Sequence, residues 1–323
     1  MPTNTLLLAI AAGIISAVVF ASATTGPMLL RFVLFFLTPI TLYLAGLGLG
    51  PAAAAIAVIV ATLVILLLTN PVAALVFAVS AGMPAAMTTR LALLGRTSDD
   101  GPNAPMEWYP LGRIIAAAAF FAGLFAALAL TLMGGDPAAL TKAMHDAVET
   151  FATTELAQIP GSVQLKPEQI DNMTNSALAL LPTSLAALSL VTTLLNFWLA
   201  GRITLASGRL TRPWPDVSGF KLPLSATFAL LAALALSLAG GMPGLWASGF
   251  AGAYTMAFAL LGLAVAHALT RGSPWRTFIL AAVYAGLLFF TPGVALVLAL
   301  AGLAETIFHY RATRDGAPPH TKT

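Results

Sequence analysis

The sequence predicts an all-α, polytopic transmembrane helical bundle of about ten spans, with both termini on the cytoplasmic side. Three observations predict it. The 323-residue chain is 59% hydrophobic and only 8% charged, against about 25% charged in a soluble domain, so it lacks the charge to cover a water-facing surface. Its apolar residues form long continuous runs, whereas the strands of a membrane barrel are short and alternate. Its basic residues gather in alternate loops. In hydrocarbon a helix satisfies its own backbone hydrogen bonds, so long apolar runs with few charges become spanning helices.

Proline marks the helix starts, because the first helical turn does not use the N–H that proline lacks. Pro51, Pro71, Pro137, Pro167, Pro274 and Pro292 each open an apolar or amphipathic run, several behind a capping residue: Asn70, Asp136, Ser273 and Thr291. These borders place spans at residues 5–23, 29–49, 51–68, 71–94, 111–133, 175–206, 222–239, 245–269, 274–290 and 292–310. Each reaches the roughly 17 residues that a crossing needs. Leu6 to Phe20 followed by Ala21-Ser22-Ala23 has the outline of a signal peptide, but no Lys or Arg precedes it. It therefore reads as a retained first span. Spans nine and ten are the shortest and meet at the Thr291-Pro292-Gly293 turn; a re-entrant pair is the alternative there.

Residues 1–310 read as one transmembrane domain and 311–323 as a short cytoplasmic tail. The longest hydrophilic insertion is 134–173. Asp136-Pro137 opens a helix with Leu140, Met144, Val148 and Phe151 on one stripe, an amphipathic spacing suited to the membrane surface or to packing on the bundle. Pro160-Gly161 ends it. Pro167 then opens the long sixth span, whose first turns stand outside the bilayer.

Orientation follows from the positive residues. Arg90, Arg96 and Arg113 flank the loop between spans four and five. Arg202, Arg209, Arg212 and Lys221 flank the next basic loop, Arg271 and Arg276 lie between spans eight and nine, and Arg311, Arg314 and Lys322 follow span ten. Together these are 12 of the 15 basic residues. Arg31, Lys142 and Lys166 fall on the other side, where the insertion carries Asp136, Asp146, Glu149, Glu155, Glu168 and Asp171. The expected location is the cell inner (plasma) membrane.

The net charge of +3 and the pI near 9.4 follow from this topology. There is no basic stretch with interleaved aromatics, so nucleic acid is not an expected partner. Cysteine is absent, and His145, His267, His309 and His320 lack ligand spacing, so no metal site is expected. No phosphate-loop Lys, HExxH pattern or nucleophile elbow occurs, so neither a cofactor nor an enzymatic activity is expected.

Candidate sites come from polar groups and broken backbone at membrane depth. Glu305 lies one helical turn before His309, so both project from one helical face, and about 9 Å along the axis from Arg311. It reads either as a ligand- or proton-linked carboxylate or as one half of an ion pair with an Arg of another span, such as Arg90 or Arg202. Arg31 is the lone cation on the far side of the first four spans; it either attracts an anion or snorkels to the interface. Asn196 either bonds a neighbouring helix or touches a solute. Span two contains Thr38-Pro39, span four Ser80, Gly82 and Pro84, and span six Pro182. Interior proline breaks the hydrogen-bond ladder, and transporters use such breaks to build solute sites; benign kinking is the alternative. Ala9, Gly13 and Ala17 form a small-residue stripe suited to close helix contact.

Three stretches carry a resemblance. They are Phe35-Phe36-Leu37-Thr38-Pro39-Ile40 leading into Leu47-Gly48-Leu49-Gly50-Pro51, then Asn196-Phe197-Trp198 with Pro213-Trp214-Pro215, and the closing run Ala301 to Arg311. Together they resemble the YybS-like family of bacterial polytopic membrane proteins, in which Glu305 stands where an Asp is expected. The first half is also similar to S components of energy-coupling-factor transporters. That resemblance implies a solute pocket between early spans and a partner membrane subunit docked on Ala9, Gly13 and Ala17. It is a likeness of fold, which does not establish function. The expected function is solute binding or transport, with a small-molecule ligand near Pro39, Ser80, Gly82, Pro84, Asn196, Glu305, His309 and Arg31. The alternative is a membrane scaffold or assembly partner. A transporter requires the breaks of spans two, four and six to face one polar cavity; a scaffold requires a filled bundle.

Overall fold

A computed structural model describes residues 1–23, 28–97, 106–158 and 165–311. Pro160-Gly161, Arg314, His320 and Lys322 lie outside the described residues. The first span is α1 (Thr3–Ser22). The second is split at Thr38-Pro39 into α2 (Met28–Leu37) and α3 (Ile40–Leu49), and α4 (Pro51–Leu68) follows. The fourth comprises α5 (Pro71–Phe77), a single π-helical turn over Ala78–Gly82, and α6 (Met83–Ala92). Next come α7 (Leu111–Gly134), α8 (Pro137–Thr150) and α9 (Pro167–Ala206). The chain closes with α10 (Leu224–Ser237), α11 (Gly241–Leu269), α12 (Arg276–Phe289) and α13 (Thr291–Phe308). Pro51, Pro71, Pro137 and Pro167 sit at the first helical position as expected.

Among the described residues eight helical stretches are long and apolar enough to cross a membrane, against the ten expected. The shortfall lies in α10 and α12, with 14 residues each, about 21 Å of helix for a hydrocarbon core of about 30 Å. The expected borders counted turn residues as helix. Pro223 precedes α10 in extended conformation, and beyond its end Gly240 and Gly241 take positive φ. Pro274 lies in a turn after Gly272 (φ 77°), so α12 begins at Arg276. The all-α reading fits the fold, with one small addition in the loop between α6 and α7. Two three-residue strands, β1 (Gly95–Thr97) and β2 (Met106–Trp108), pair antiparallel with Arg96 opposite Glu107. Their exposed side chains form an ion pair at 2.7 Å.

The loops expected on one side do share one end of the bundle. Arg212 donates to the Ala92 carbonyl at 3.1 Å, Arg271 to the Ser218 hydroxyl, and Arg311 to the Ser218 carbonyl at 2.6 Å. Thr41 donates to the Ala12 carbonyl and Ser16 to that of Thr38. So α1 runs antiparallel to α3 and starts at the same basic end. The insertion occupies the opposite end: α8 buries Leu140 against Leu130 and Met242. Of its expected stripe, Phe151 stays 49% exposed.

Two apolar cores flank α9. One joins α1 with α3 to α6; the other joins α7 and α9 with α10, α11 and α13. Small residues set the spacing. Ala9, Gly13 and Ala17 are buried, and a methyl group on Gly13 would run into the Ala57 carbonyl of α4. The stripe is therefore spent on contacts within the chain, so docking through Ala9, Gly13 and Ala17 themselves is not what it serves here. The same close approach joins α11 to α13, where Gly262 faces the Leu298 carbonyl and Gly302 that of Phe258.

Candidate functional site

The breaks of spans two and four meet beside α9, but Pro182, the break of span six, lies against Gly249 of α11 and not with them. Thr38, Pro39, Ser80, Ser189 and Thr192 line a cavity of about 70 Å³ there. The carbonyls freed by the break are met from other spans. Ser16 of α1 donates to the Thr38 carbonyl at 2.8 Å. Asn196 Nδ2 of α9 donates to the Phe36 carbonyl at 2.6 Å and to that of Thr192 at 2.9 Å. Thr38 turns its own hydroxyl back on Leu34 at 2.9 Å. Asn196 thus acts as an inter-helix bond across the break. Its Oδ1 is buried without a donor, and the buried Tyr43 hydroxyl closes no hydrogen bond, although the Thr88 and Thr193 hydroxyls face it.

A water needs roughly 10–15 Å³ of such space, so the junction has room for a few waters and for no larger solute. The solute pocket expected from Pro39 to Glu305 is not formed. Pro39 and Ser80 come together and Asn196 stands beside them. Gly82 instead packs against Val58 of α4, and Pro84 is buried at the start of α6. Arg31 is exposed on α2. Glu305 and His309 lie at the basic end.

Glu305 is an ion-pair member, and its partner is neither Arg90 nor Arg202, which are exposed. Its partner is Arg311. A straight helix would keep these residues apart, but α13 ends at Phe308 and His309 adopts the left-handed conformation (φ 54°). The chain doubles back, so Arg311 Nε lies 2.9 Å from Glu305 Oε1 and its backbone N–H 3.3 Å from Oε2. The remaining guanidinium nitrogens donate to the Ser218 carbonyl at 2.6 Å and the Phe220 carbonyl at 2.7 Å. Glu305 is 2% and Arg311 9% exposed. A buried pair is tolerable only when its remaining donors are satisfied, and here they are. Arg311 thus belongs to the bundle and not to a tail. His309 does not share a helical face with Glu305, since the turn is built on it; its Nδ1 lies 3.3 Å from the Ile307 carbonyl.

A larger cavity, of about 510 Å³, opens at the basic end. Its wall is hydrocarbon: Leu111 and Ile115 of α7, Leu194 and Phe197 of α9, Leu260 and Leu263 of α11. Its polar rim is Arg212, Ser218, His267, Arg271, Arg276 and Tyr284. The loop after α9 builds this rim. Gly208 (φ 69°) reverses the chain, and Trp214 lies over Gly201, with the Arg202 guanidinium 5.2 Å from its ring centre. The Ser218 hydroxyl, then its backbone N–H, hold the Asp216 carboxyl below the ordinary carboxylate range, and Arg271 adds to this. Burial pulls the Arg212 guanidinium below its ordinary value, but a guanidinium stays cationic at neutral pH. His267 Nε2 lies 2.9 Å from the Tyr284 hydroxyl. Arg276 has no side-chain partner among the described residues. In the sequence these arginines mark sidedness, and Pro213-Trp214-Pro215 beside them is the signal of a built rim.

A family model described as predicted membrane protein (DUF2232) matches residues 14–304. The chain belongs to that family. No curated protein and no solved structure matches. The DUF2232 match agrees with the membrane reading and runs through the residues of both cavities. It stops one residue before Glu305, so the Glu305–Arg311 pair stands at the edge of the DUF2232 region.

Proposed function

We propose that this protein binds, and serves the transport of, an amphipathic anion, and that the site is the cavity at the basic end. The observation that carries this reading is the placing of Arg276 and Arg212 at the rim of a hydrocarbon wall without an anionic partner among the described residues. A cation beside apolar surface is costly unless an anion completes it. Cavities of roughly 300–1,000 Å³ with apolar walls and a few convergent polar groups are typical of small-molecule sites, and 510 Å³ falls in that range. The solute site of the transport reading thus moves from the broken helices to the basic end. By the positive-inside rule that end faces the cytoplasm, which puts both termini inside and the cavity mouth at the cytoplasmic surface of the inner membrane.

Native mass spectrometry of the full chain, gently extracted, tests this. A stoichiometric anionic amphiphile is expected on the native protein and lost from the double variant Arg212→Ala, Arg276→Ala. Native protein that releases no such mass, or a mass kept in full by the double variant, overturns the reading. Co-purifying protein without a ligand would instead favour a scaffold.

A further inference from the structure

The basic-end cavity is graded from apolar to cationic along its depth. On α11 it is lined by Leu260, Leu263, Ala264 and His267, which share one helical face by their spacing, and Arg271 follows just past the helix end. On α9, Leu194, Phe197 and Gly201 line it at the same spacing. Both helices run toward the basic end, so the leucines lie deepest and the arginines at the mouth. From Leu260 to His267 the wall is about 10 Å deep, against about 15 Å for half the hydrocarbon core. The three arginines at the rim are not equivalent. Arg271 has the Asp216 carboxylate at 4.0 Å and donates to the Ser218 hydroxyl. Arg212 spends one nitrogen on the Ala92 carbonyl. Neither it nor Arg276 meets a carboxylate among the described residues. Three guanidiniums less one carboxylate leave two positive charges that these residues do not neutralise.

We propose that this cavity selects a dianionic headgroup, a phosphate monoester, carried on an apolar chain that points toward the membrane centre. The proposal rests on the reading of the cavity as a site for an amphipathic anion and adds which anion it is. A phosphate monoester brings close to two negative charges and three acceptor oxygens at neutral pH, and guanidinium forks bind such oxygens in pairs. A sulfate ester or a phosphodiester brings one charge and leaves one arginine unmatched beside hydrocarbon, which is costly. The chain is required because the wall below the rim is apolar, and its burial scales with the area removed from water. Head at the arginines and tail along Leu263 and Leu260, the ligand takes the orientation of a lipid in the leaflet at the basic end.

The test is titration calorimetry of the purified full chain in a neutral detergent at about pH 8, where a phosphate monoester is a dianion. Decyl phosphate, decyl sulfate and inorganic phosphate are compared, the first two below the concentrations that unfold the protein. Decyl phosphate is expected to bind about ten- to a hundredfold more tightly than decyl sulfate, and inorganic phosphate more weakly than either. Arg276→Ala, at a partly exposed position, should bring decyl phosphate down to about the affinity of decyl sulfate. Equal affinities of the two decyl esters for the native protein overturn the proposal and leave the amphipathic-anion reading standing. A preference that Arg276→Ala leaves intact also overturns it. Inorganic phosphate bound as tightly as decyl phosphate overturns the requirement for a chain and marks a site for free phosphate. Binding of neither decyl ester overturns the wider reading with it.

Discussion

At the Pro39 break, exposed carbonyls are met by side chains from other spans, and the space left over amounts to about 70 Å³. At the basic end, guanidiniums line some 510 Å³ of mostly apolar space and two of them meet no anion among the described residues. Both regions put polar groups near hydrocarbon, but at the break the carbonyls are met from within, Asn196 Oδ1 and the Tyr43 hydroxyl excepted, and the basic end is left open. Burial without completion is costly. The open region is therefore where an outside molecule has most to gain, and the closed one where the fold does.

The comparison can be broken first at the Glu305–Arg311 pair, which fastens the rim loop. Arg311→Met leaves Glu305 buried without its partner and removes the donors to Ser218 and Phe220. A loss of about 3–5 kcal/mol is expected, read as a collapse in the yield of monodisperse protein. Glu305→Gln keeps an acceptor for Arg311 and should lose less. The next largest effect sharpens the open side. Arg276→Ala is expected to weaken binding of an anionic amphiphile about ten- to a hundredfold, by titration in detergent, with an unchanged melting midpoint. A fall in stability instead would make Arg276 part of the frame. On the closed side, Ser16→Ala strips the Thr38 carbonyl of its donor. It should cost about 1–2 kcal/mol in chemical unfolding while leaving amphiphile binding as it was. The smallest effect is on the rim loop. Asp216 has a depressed pKa, so its contribution is complete above the ordinary Asp value of about 3.9 and is lost as pH falls through the depressed one. Between pH 5 and pH 2 the native midpoint should fall slightly more than that of Asp216→Asn.

Much of this architecture is written locally. Pro51, Pro71, Pro137 and Pro167 start helices because the first turn tolerates them, and Thr38-Pro39 breaks a span because proline has no N–H to offer. Alternate basic loops share an end because each crossing reverses the chain. What escaped is non-local or too brief. Three-residue strands leave no periodicity to read. Left-handed backbone at His309 is uncommon for a non-glycine residue, so the fold-back that brings Arg311 to Glu305 has no sequence signature. The Gly262–Gly302 crossing hides among abundant small residues. The basic-end cavity is assembled from α7, α9, α11 and a loop, so no single stretch announces it, and its arginines were already explained by topology.

One feature of α9 has a mechanical side. With 40 residues it is about 60 Å long, roughly twice the thickness of the hydrocarbon core. Its outer turns are gripped by the insertion, where His145 meets Asp171 at 3.4 Å, and its inner turns carry Phe197, Trp198 and Gly201 in the cavity wall. Pro182 sits between the two, where one rung of the ladder is missing. Gly249 and Gly252 of α11 pack onto Pro182 and Thr183 and brace that missing rung. The helix is thus one continuous strut that ties the acidic insertion to the arginine-rimmed chamber at the opposite end of the bundle.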